Sequence, residues 1–126
     1  MAALFRNQRY LLLRSFCNYA RVNLFRRPLL RNAELSLTYE CNAKCAHCSN
    51  VRFVDSSRPG MSWSDIQQVV DQGVRGGALL FTLVGGEPLL SDRLLDTVRY
   101  VRCKEAGAIV ITNGPLLTHR AARQLR

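Results

Sequence analysis

The pattern of apolar and polar positions predicts strands that alternate with helices after residue 33. The run at 34–39 alternates in the manner of a short strand. The run at 78–84 is continuously apolar, which is typical of a strand buried on both faces. A third apolar run covers 108–112. Alternating strands and helices imply parallel pairing through right-handed crossovers, so this part of the chain is predicted to be an α/β domain.

Helical patterns fill the intervals between the predicted strands. Ser62, followed three residues later by an acid, is a capping-box-like start of one helix, which we expect the glycines from Gly73 onward to break. Ser91 is expected to cap the next helix and Gly107 to stop it. A last helix is expected after Thr118. The polar segment 49–60 is predicted to be a loop.

The first 33 residues form a separate basic arm. Residues 4–27 lack Gly and Pro and are predicted to be a helix that ends before Pro28. We expect this helix to pack over the following domain, and the alternative is a surface-binding helix. Its apolar stripe consists of Phe5, Leu12, Phe16 and Tyr19, with Arg14 and Arg21 opposite.

The charge of the 126-residue chain is localised in this arm. Of the 18 basic residues, seven are arginines within 1–33, which contains no acid, and the remaining eleven are nearly balanced by nine acidic residues. The net charge of +9 therefore belongs mainly to the arm, which is compatible with nucleic acid, an anionic membrane surface or an acidic partner. No apolar run approaches the length of a membrane span. A mitochondrial presequence is a further alternative.

Three thiols crowd the loop that follows the first predicted strand. Cys41, Cys45 and Cys48 have the spacing Cys-x3-Cys-x2-Cys. Thiolates are soft ligands that suit zinc or iron–sulfur clusters, and three of them leave one iron of a four-iron cube without a cysteine. Clustered cysteines favour metal binding in a reducing compartment, so we expect a cytoplasmic protein. A zinc site completed by His47 is the alternative, although a ligand adjacent to Cys48 gives poor tetrahedral geometry.

This motif, together with a second one, resembles the radical S-adenosylmethionine (radical SAM) superfamily. The second motif is Gly-Gly-Glu-Pro at 85–88, at the end of a predicted strand. The resemblance covers roughly 34–126 and implies a [4Fe-4S] cluster on Cys41, Cys45 and Cys48. It further implies that S-adenosylmethionine binds the open iron and is cleaved reductively to a 5′-deoxyadenosyl radical, which abstracts hydrogen from a substrate.

The resemblance also implies roles for residues outside the cysteine set. In the family, the motif at 85–88 meets the methionine amino group, so Gly85, Gly86 and Glu87 are expected to bind the cosubstrate. In the family, the residue before the last cysteine packs near the adenine of S-adenosylmethionine. The resemblance therefore assigns this role to His47. Asn113, in Thr-Asn-Gly after the third strand, is expected to line the active site or to shape its loop.

The resemblance sets the expected domain organisation. Members of the superfamily have a partial parallel βα barrel of about six units, and residues 34–126 supply the first three. We therefore expect a radical SAM core domain that is truncated, preceded by the basic helix at 1–33. The alternative is a complete small protein.

Two functional interpretations remain open from the sequence. The first is a radical SAM enzyme, or its N-terminal fragment, that accepts electrons from a reductant such as ferredoxin or flavodoxin and acts on a peptide or small molecule. The second is a non-catalytic module that binds an iron–sulfur cluster or zinc and transfers electrons.

Overall fold

The computed structural model describes residues 2–26, 28–48 and 60–125, with side chains from residue 9. The predicted loop at 49–60, apart from Gly60, and the side chain of the predicted stripe residue Phe5 lie outside this description. The described elements are helix α1 (Ala2–Phe25), strand β1 (Asn32–Thr38), helix α2 (Trp63–Arg75), strand β2 (Leu80–Gly85), a 3-10 turn (Pro88–Leu90), helix α3 (Leu94–Cys103), strand β3 (Gly107–Val110) and helix α4 (His119–Leu125).

The three strands form one parallel sheet in the order β1-β2-β3. Each strand is followed along the chain by helical structure, which confirms the predicted α/β class and fits the first three units of a partial βα barrel. The apolar run of β2 occupies the centre, where a strand has hydrogen-bonded neighbours on both edges. Phe81, Thr82 and Leu83 are accordingly buried.

The hydrophobic core lies between one face of the sheet and helices α2 and α3. Alternate residues of the strands point into it, as the two-residue period of a strand requires. From the helices, residues spaced three or four apart fill the same space. The core consists of Leu35, Leu37, Ile66, Val70, Ala78, Phe81, Leu83, Leu94, Val98, Val101 and Ala106. On the opposite face of edge strand β3, Ile109 is 45% exposed.

Helix α2 begins as predicted and continues further than predicted. The Ser62 hydroxyl accepts a hydrogen bond from the Asp65 backbone N–H, and the Asp65 carboxylate accepts one from the Ser62 N–H, which completes a capping box. Gly73 does not break the helix. A Cβ at Gly73 would lie 2.8 Å from Cζ of Phe81, so the glycine gives the ring room to pack.

Two predicted boundaries of helix α3 are wrong. The N-cap is Arg93, which makes no side-chain capping bond, while the Ser91 hydroxyl accepts from the Arg93 N–H in the preceding turn. The helix ends at Cys103, and the reversal uses Glu105, whose φ of 57° is left-handed. Gly107 begins β3 instead, where a Cβ would lie 2.9 Å from Leu80 Cδ1. Packing against the neighbouring strand, and not helix termination, therefore requires the glycine.

Helix α1 contacts the domain through polar groups. Asn18 Nδ2 donates to the Gly77 carbonyl at 2.9 Å, and the Arg14 guanidinium donates to the Val74 carbonyl at 3.4 Å. The described part of the predicted apolar stripe faces solvent instead: Leu12, Phe16 and Tyr19 are 68%, 71% and 64% exposed. Within the described residues, no helix has the length and hydropathy needed to cross a bilayer.

Candidate functional site

The candidate site lies at the edge of the sheet where the three parallel strands end. Thr38 at the end of β1 pairs with Gly85 at the end of β2, and β3 ends next to them at Val110. In parallel sheets the segments that follow the carboxyl ends of the strands form the usual ligand crevice. Here these segments carry the cysteine loop, the Gly-Gly-Glu-Pro turn and Asn113, so the fold brings all three predicted motifs to one edge.

The cysteine loop follows β1 directly and presents its sulfurs at the surface. All three cysteines are free thiols, with Cys41 and Cys45 exposed and Cys48 half-buried. The Cys48 N–H donates to the Cys45 carbonyl at 3.2 Å, which closes a turn that carries the exposed His47. In the part of the chain that the structure describes, no three His, Cys, Asp or Glu side chains are grouped closely enough to hold one metal ion.

The sulfur of Cys41 receives two N–H donors. The Ala43 backbone N–H points at it across 3.4 Å, and the Asn113 side-chain amide lies 3.7 Å away. The same amide donates to Asn42 Oδ1 at 2.8 Å, which ties the cysteine loop to the end of β3. A thiolate is a better hydrogen-bond acceptor than a thiol, so this arrangement suits a deprotonated ligand.

The two glycines of the turn are packed against the chain's own backbone. A Cβ at Gly85 would overlap the Thr38 carbonyl oxygen, and one at Gly86 would overlap the Glu40 carbonyl oxygen. Gly85 also has a left-handed φ of 141°. Close approach of two strand ends therefore requires both glycines independently of any ligand, and their assignment to the cosubstrate stays a prediction.

Glu87 is fully buried, and its carboxylate joins three segments of the chain. Oε1 accepts from the Leu89 N–H at 3.0 Å and from the Thr112 hydroxyl at 2.7 Å, while Oε2 accepts from the Asn113 N–H at 2.8 Å. A carboxylate offers about four acceptor positions, three of which are taken here. A ligand ammonium group reaches this carboxylate only if the surrounding chain opens, and the predicted contact stays a prediction.

The hydrogen-bond partners of Glu87 and Asn113 were not predicted from the sequence. Thr112 is 25 residues from Glu87, and Asn42 is 71 residues from Asn113. Such separations leave no periodic signal within a strand or a helix. The predicted parallel pairing does indicate that the segments after adjacent strands lie close together. It was the signal in the sequence from which contacts between these segments could have been predicted.

The donor set fits a four-iron cluster. Three free cysteines in one exposed loop offer thiolate ligands, and two N–H groups already point at one of the sulfurs. In a cubic cluster each cysteine binds a different iron, so the sulfurs need not converge as the ligands of one zinc ion must. Among the described residues, no group of side chains is arranged to hold a single metal ion, and this finding is compatible with a cluster on the three cysteines.

Comparison of sequences identifies one family across most of the chain. The sequence profile of the radical SAM superfamily matches residues 35–126. A probable GTP 3′,8-cyclase of Methanococcus maripaludis is 28% identical over 97 residues, covering 77% of this chain and 33% of the cyclase. The antilisterial bacteriocin subtilosin biosynthesis protein AlbA of Bacillus subtilis is 31% identical over 102 residues, covering 79% of this chain and 22% of AlbA.

Comparison of structures supports the same fold. BtrN, crystallised in complex with AdoMet and 2-DOIA, superimposes with a TM-score of 0.63 at 24% identity, covering 78% of this chain and 42% of BtrN. At this identity the similarity shows the fold alone. The chain spans about a third of the length of the curated cyclases it matches.

Proposed function

The chain belongs to the radical SAM superfamily, and from this premise we propose that it is an S-adenosylmethionine-cleaving iron–sulfur enzyme or the N-terminal part of one. One observation supports the proposal more than any other. The cysteine loop, the Gly-Gly-Glu-Pro turn and Asn113 meet at one edge of the sheet, and Asn113 contacts both of the other two motifs.

In the proposed site, Cys41, Cys45 and Cys48 bind three irons of a [4Fe-4S] cluster as thiolates. The reduced cluster would supply the electron that breaks the sulfonium carbon–sulfur bond of S-adenosylmethionine and so generates a 5′-deoxyadenosyl radical. The chain's contribution is to hold the ligands and the cosubstrate in one orientation and to exclude water. The ends of β1 and β2 serve this purpose, because residue pairing extends, beyond a register shift after Ser36, to Thr38 and Gly85.

Glu87 is proposed to act mainly by fixing the geometry of this edge. Its buried carboxylate holds Thr112 and Asn113, and its own N–H donates to the Glu40 carbonyl at 2.8 Å. The backbone that leads into the cysteine loop is thus connected to the ends of both other strands. A cosubstrate at this edge meets a preorganised surface, which lowers the entropic cost of its binding.

Other residues are proposed to contact the cosubstrate directly. The exposed His47 is available to pack against adenine, and the backbone at Gly85 and Gly86 is available to the methionine part. We further propose a flavodoxin or ferredoxin as the electron donor and a peptide or small molecule as the substrate. Contact of the basic arm with nucleic acid or a membrane surface is a separate proposal, supported by the seven arginines of the arm and, for a membrane surface, by the exposed apolar stripe of α1.

The function is tested by anaerobic reconstitution of the chain with iron and sulfide. S-adenosylmethionine and a strong reductant are then added and 5′-deoxyadenosine is measured. We expect an iron–sulfur chromophore and a low yield of 5′-deoxyadenosine that both disappear in Cys45→Ala. Cys103→Ala is the matched control, because Cys103 is an exposed cysteine on α3, away from the loop.

The alternative of a non-catalytic module makes a different prediction in the same assay. A chain that binds a cluster but yields no 5′-deoxyadenosine, by itself and within any longer polypeptide that contains it, would support that module. A chain that binds one zinc ion and no cluster would contradict both iron-based interpretations.

A further inference from the structure

The backbone of Asn113 is fixed independently of its side chain. Its N–H donates to Oε2 of Glu87 at 2.8 Å, and the preceding Thr112 donates its hydroxyl to Oε1 at 2.7 Å. The N–H of Gly114 in turn donates to the Thr112 hydroxyl at 3.0 Å. Because Glu87 is fully buried, the two bonds that its carboxylate accepts are partly shielded from competing water. The Asn113 amide is therefore presented from a defined position at the end of β3.

That amide points toward a predicted cluster ligand. Asn113 Nδ2 lies 2.8 Å from Asn42 Oδ1 and 3.7 Å from Cys41 Sγ. A side-chain amide carries two N–H groups, so one serves the oxygen and the other the sulfur. The position of the amide is set by the Asn113 backbone, which Glu87 holds, so the N–H directed at the sulfur does not require the bond to Asn42. The Ala43 N–H at 3.4 Å completes a pair of donors around the same sulfur.

Hydrogen bonds to the ligand sulfurs of an iron–sulfur cluster are among the factors that set its reduction potential. Reduction adds negative charge, and an N–H donor stabilises the more negative state to a greater extent. Removal of such a donor therefore makes the cluster harder to reduce.

We propose that Asn113 is a positioning residue whose side-chain amide donates to the Cys41 thiolate and raises the reduction potential of the cluster held by this loop. The proposal rests on the proposed function, because the bond has this effect only if the cysteines hold a cluster. It assigns to Asn113 an action on the iron–sulfur centre through Cys41, in addition to any contact with the cosubstrate.

The test is a redox titration of the reconstituted 126-residue chain, followed by electron paramagnetic resonance, without S-adenosylmethionine. Asn113→Leu and Asn113→Ala keep the backbone N–H to Glu87 but lose the amide. Asn42→Leu is the matched control, since it removes the partner of the amide's other N–H and leaves a donor for the sulfur. Iron content is measured for every variant.

In both Asn113 variants we expect the ratio of oxidised to reduced cluster at a fixed potential to rise about tenfold, which is about 59 mV for one electron. We expect Asn42→Leu to keep the wild-type midpoint. Three results would overturn the role of Asn113 and leave the proposed function intact. They are an unchanged midpoint in the Asn113 variants, an equal shift in Asn42→Leu, and loss of the cluster from both Asn113 variants. A wild-type chain that takes up no iron would overturn the proposed function as well.

Discussion

The carboxylate of Glu87 accepts a hydrogen bond from the backbone N–H of Asn113 at 2.8 Å, across 26 residues of sequence. This bond joins the turn after the central strand to the end of the neighbouring strand. Because the Asn113 side chain in turn contacts the cysteine loop, the buried acid controls the position of three separate segments. The motif at 85–88 thus has a structural task in this chain that does not depend on a bound cosubstrate.

This task predicts a stability cost for Glu87→Gln in the metal-free protein. A glutamine has one acceptor oxygen. Its NH2 group would therefore face either the Asn113 N–H or the two donors on Oε1, which are the Leu89 N–H and the Thr112 hydroxyl. A buried donor left without an acceptor costs about 1–3 kcal/mol. We expect urea unfolding to show a loss of that size. Glu34→Gln is the control, because Glu34 is exposed, and an equal, small change in both variants would contradict the structural role.

The close approach of the strand ends predicts that Gly86→Ala is destabilising. The added Cβ would overlap the Glu40 carbonyl oxygen, which already accepts the Glu87 N–H. Backbone has to move to relieve such an overlap, and overpacking of this kind costs about 1–3 kcal/mol or more. Chemical denaturation measures it. Gly60→Ala is the control: among the residues that the structure describes, its Cβ would lie within 4 Å of the Leu37 carbonyl alone, at 4.0 Å, and stability should change little. Similar losses in the two variants would exclude the steric explanation.

The pair of Asp71 and Lys104 predicts a pH dependence of stability. Lys104 Nζ lies 2.8 Å from Asp71, and this hydrogen bond lowers the pKa of Asp71, helped by the Tyr100 hydroxyl and opposed by partial burial. The same bond is the main cause of a raised pKa of Lys104. The stabilisation is therefore complete at neutral pH. It is lost as pH falls below about 4 toward the lowered pKa of Asp71, and also as pH rises beyond about 10.4 through the raised pKa of Lys104.

Melting temperatures of wild type and Asp71→Asn across this pH range measure the effect. We expect the difference between the two melting temperatures to be largest near neutral pH. It should vanish in acid, where the protonated Asp71 of the wild type is uncharged, as the asparagine of the variant is. Asp96→Asn is the control, since the Asp96–Arg99 pair is more exposed and contributes little. A difference between wild type and Asp71→Asn that persists unchanged in acid would refute the role of the charged pair.

The sequence predicted the fold well where local signals were strong. The apolar run of β2 and the capping box at Ser62 each correspond to an observed element. The errors fall where tertiary packing decides. Gly73 remains inside a helix because the Phe81 ring needs its missing side chain, and Gly107 begins a strand because Leu80 packs against it. Neither contact is visible in a window of neighbouring residues.

The candidate site was predictable to the level of motifs and not of contacts. The cysteine spacing and the turn at 85–88 indicated the chemistry, and parallel topology brought them to one edge. The sequence did not show that the carboxylate of Glu87 binds Thr112 and Asn113, or that Asn113 reaches Cys41. These contacts depend on the register of strands distant in sequence.

The central claim is that Cys41, Cys45 and Cys48 together hold one [4Fe-4S] cluster, and iron and sulfide analysis after anaerobic reconstitution tests it most directly. The account predicts about four irons and four sulfides per chain in wild type and in Cys103→Ala, and loss of the intact cluster when any one of the three loop cysteines becomes alanine. A single zinc ion per chain, or a cluster that survives unchanged in Cys45→Ala, would contradict it.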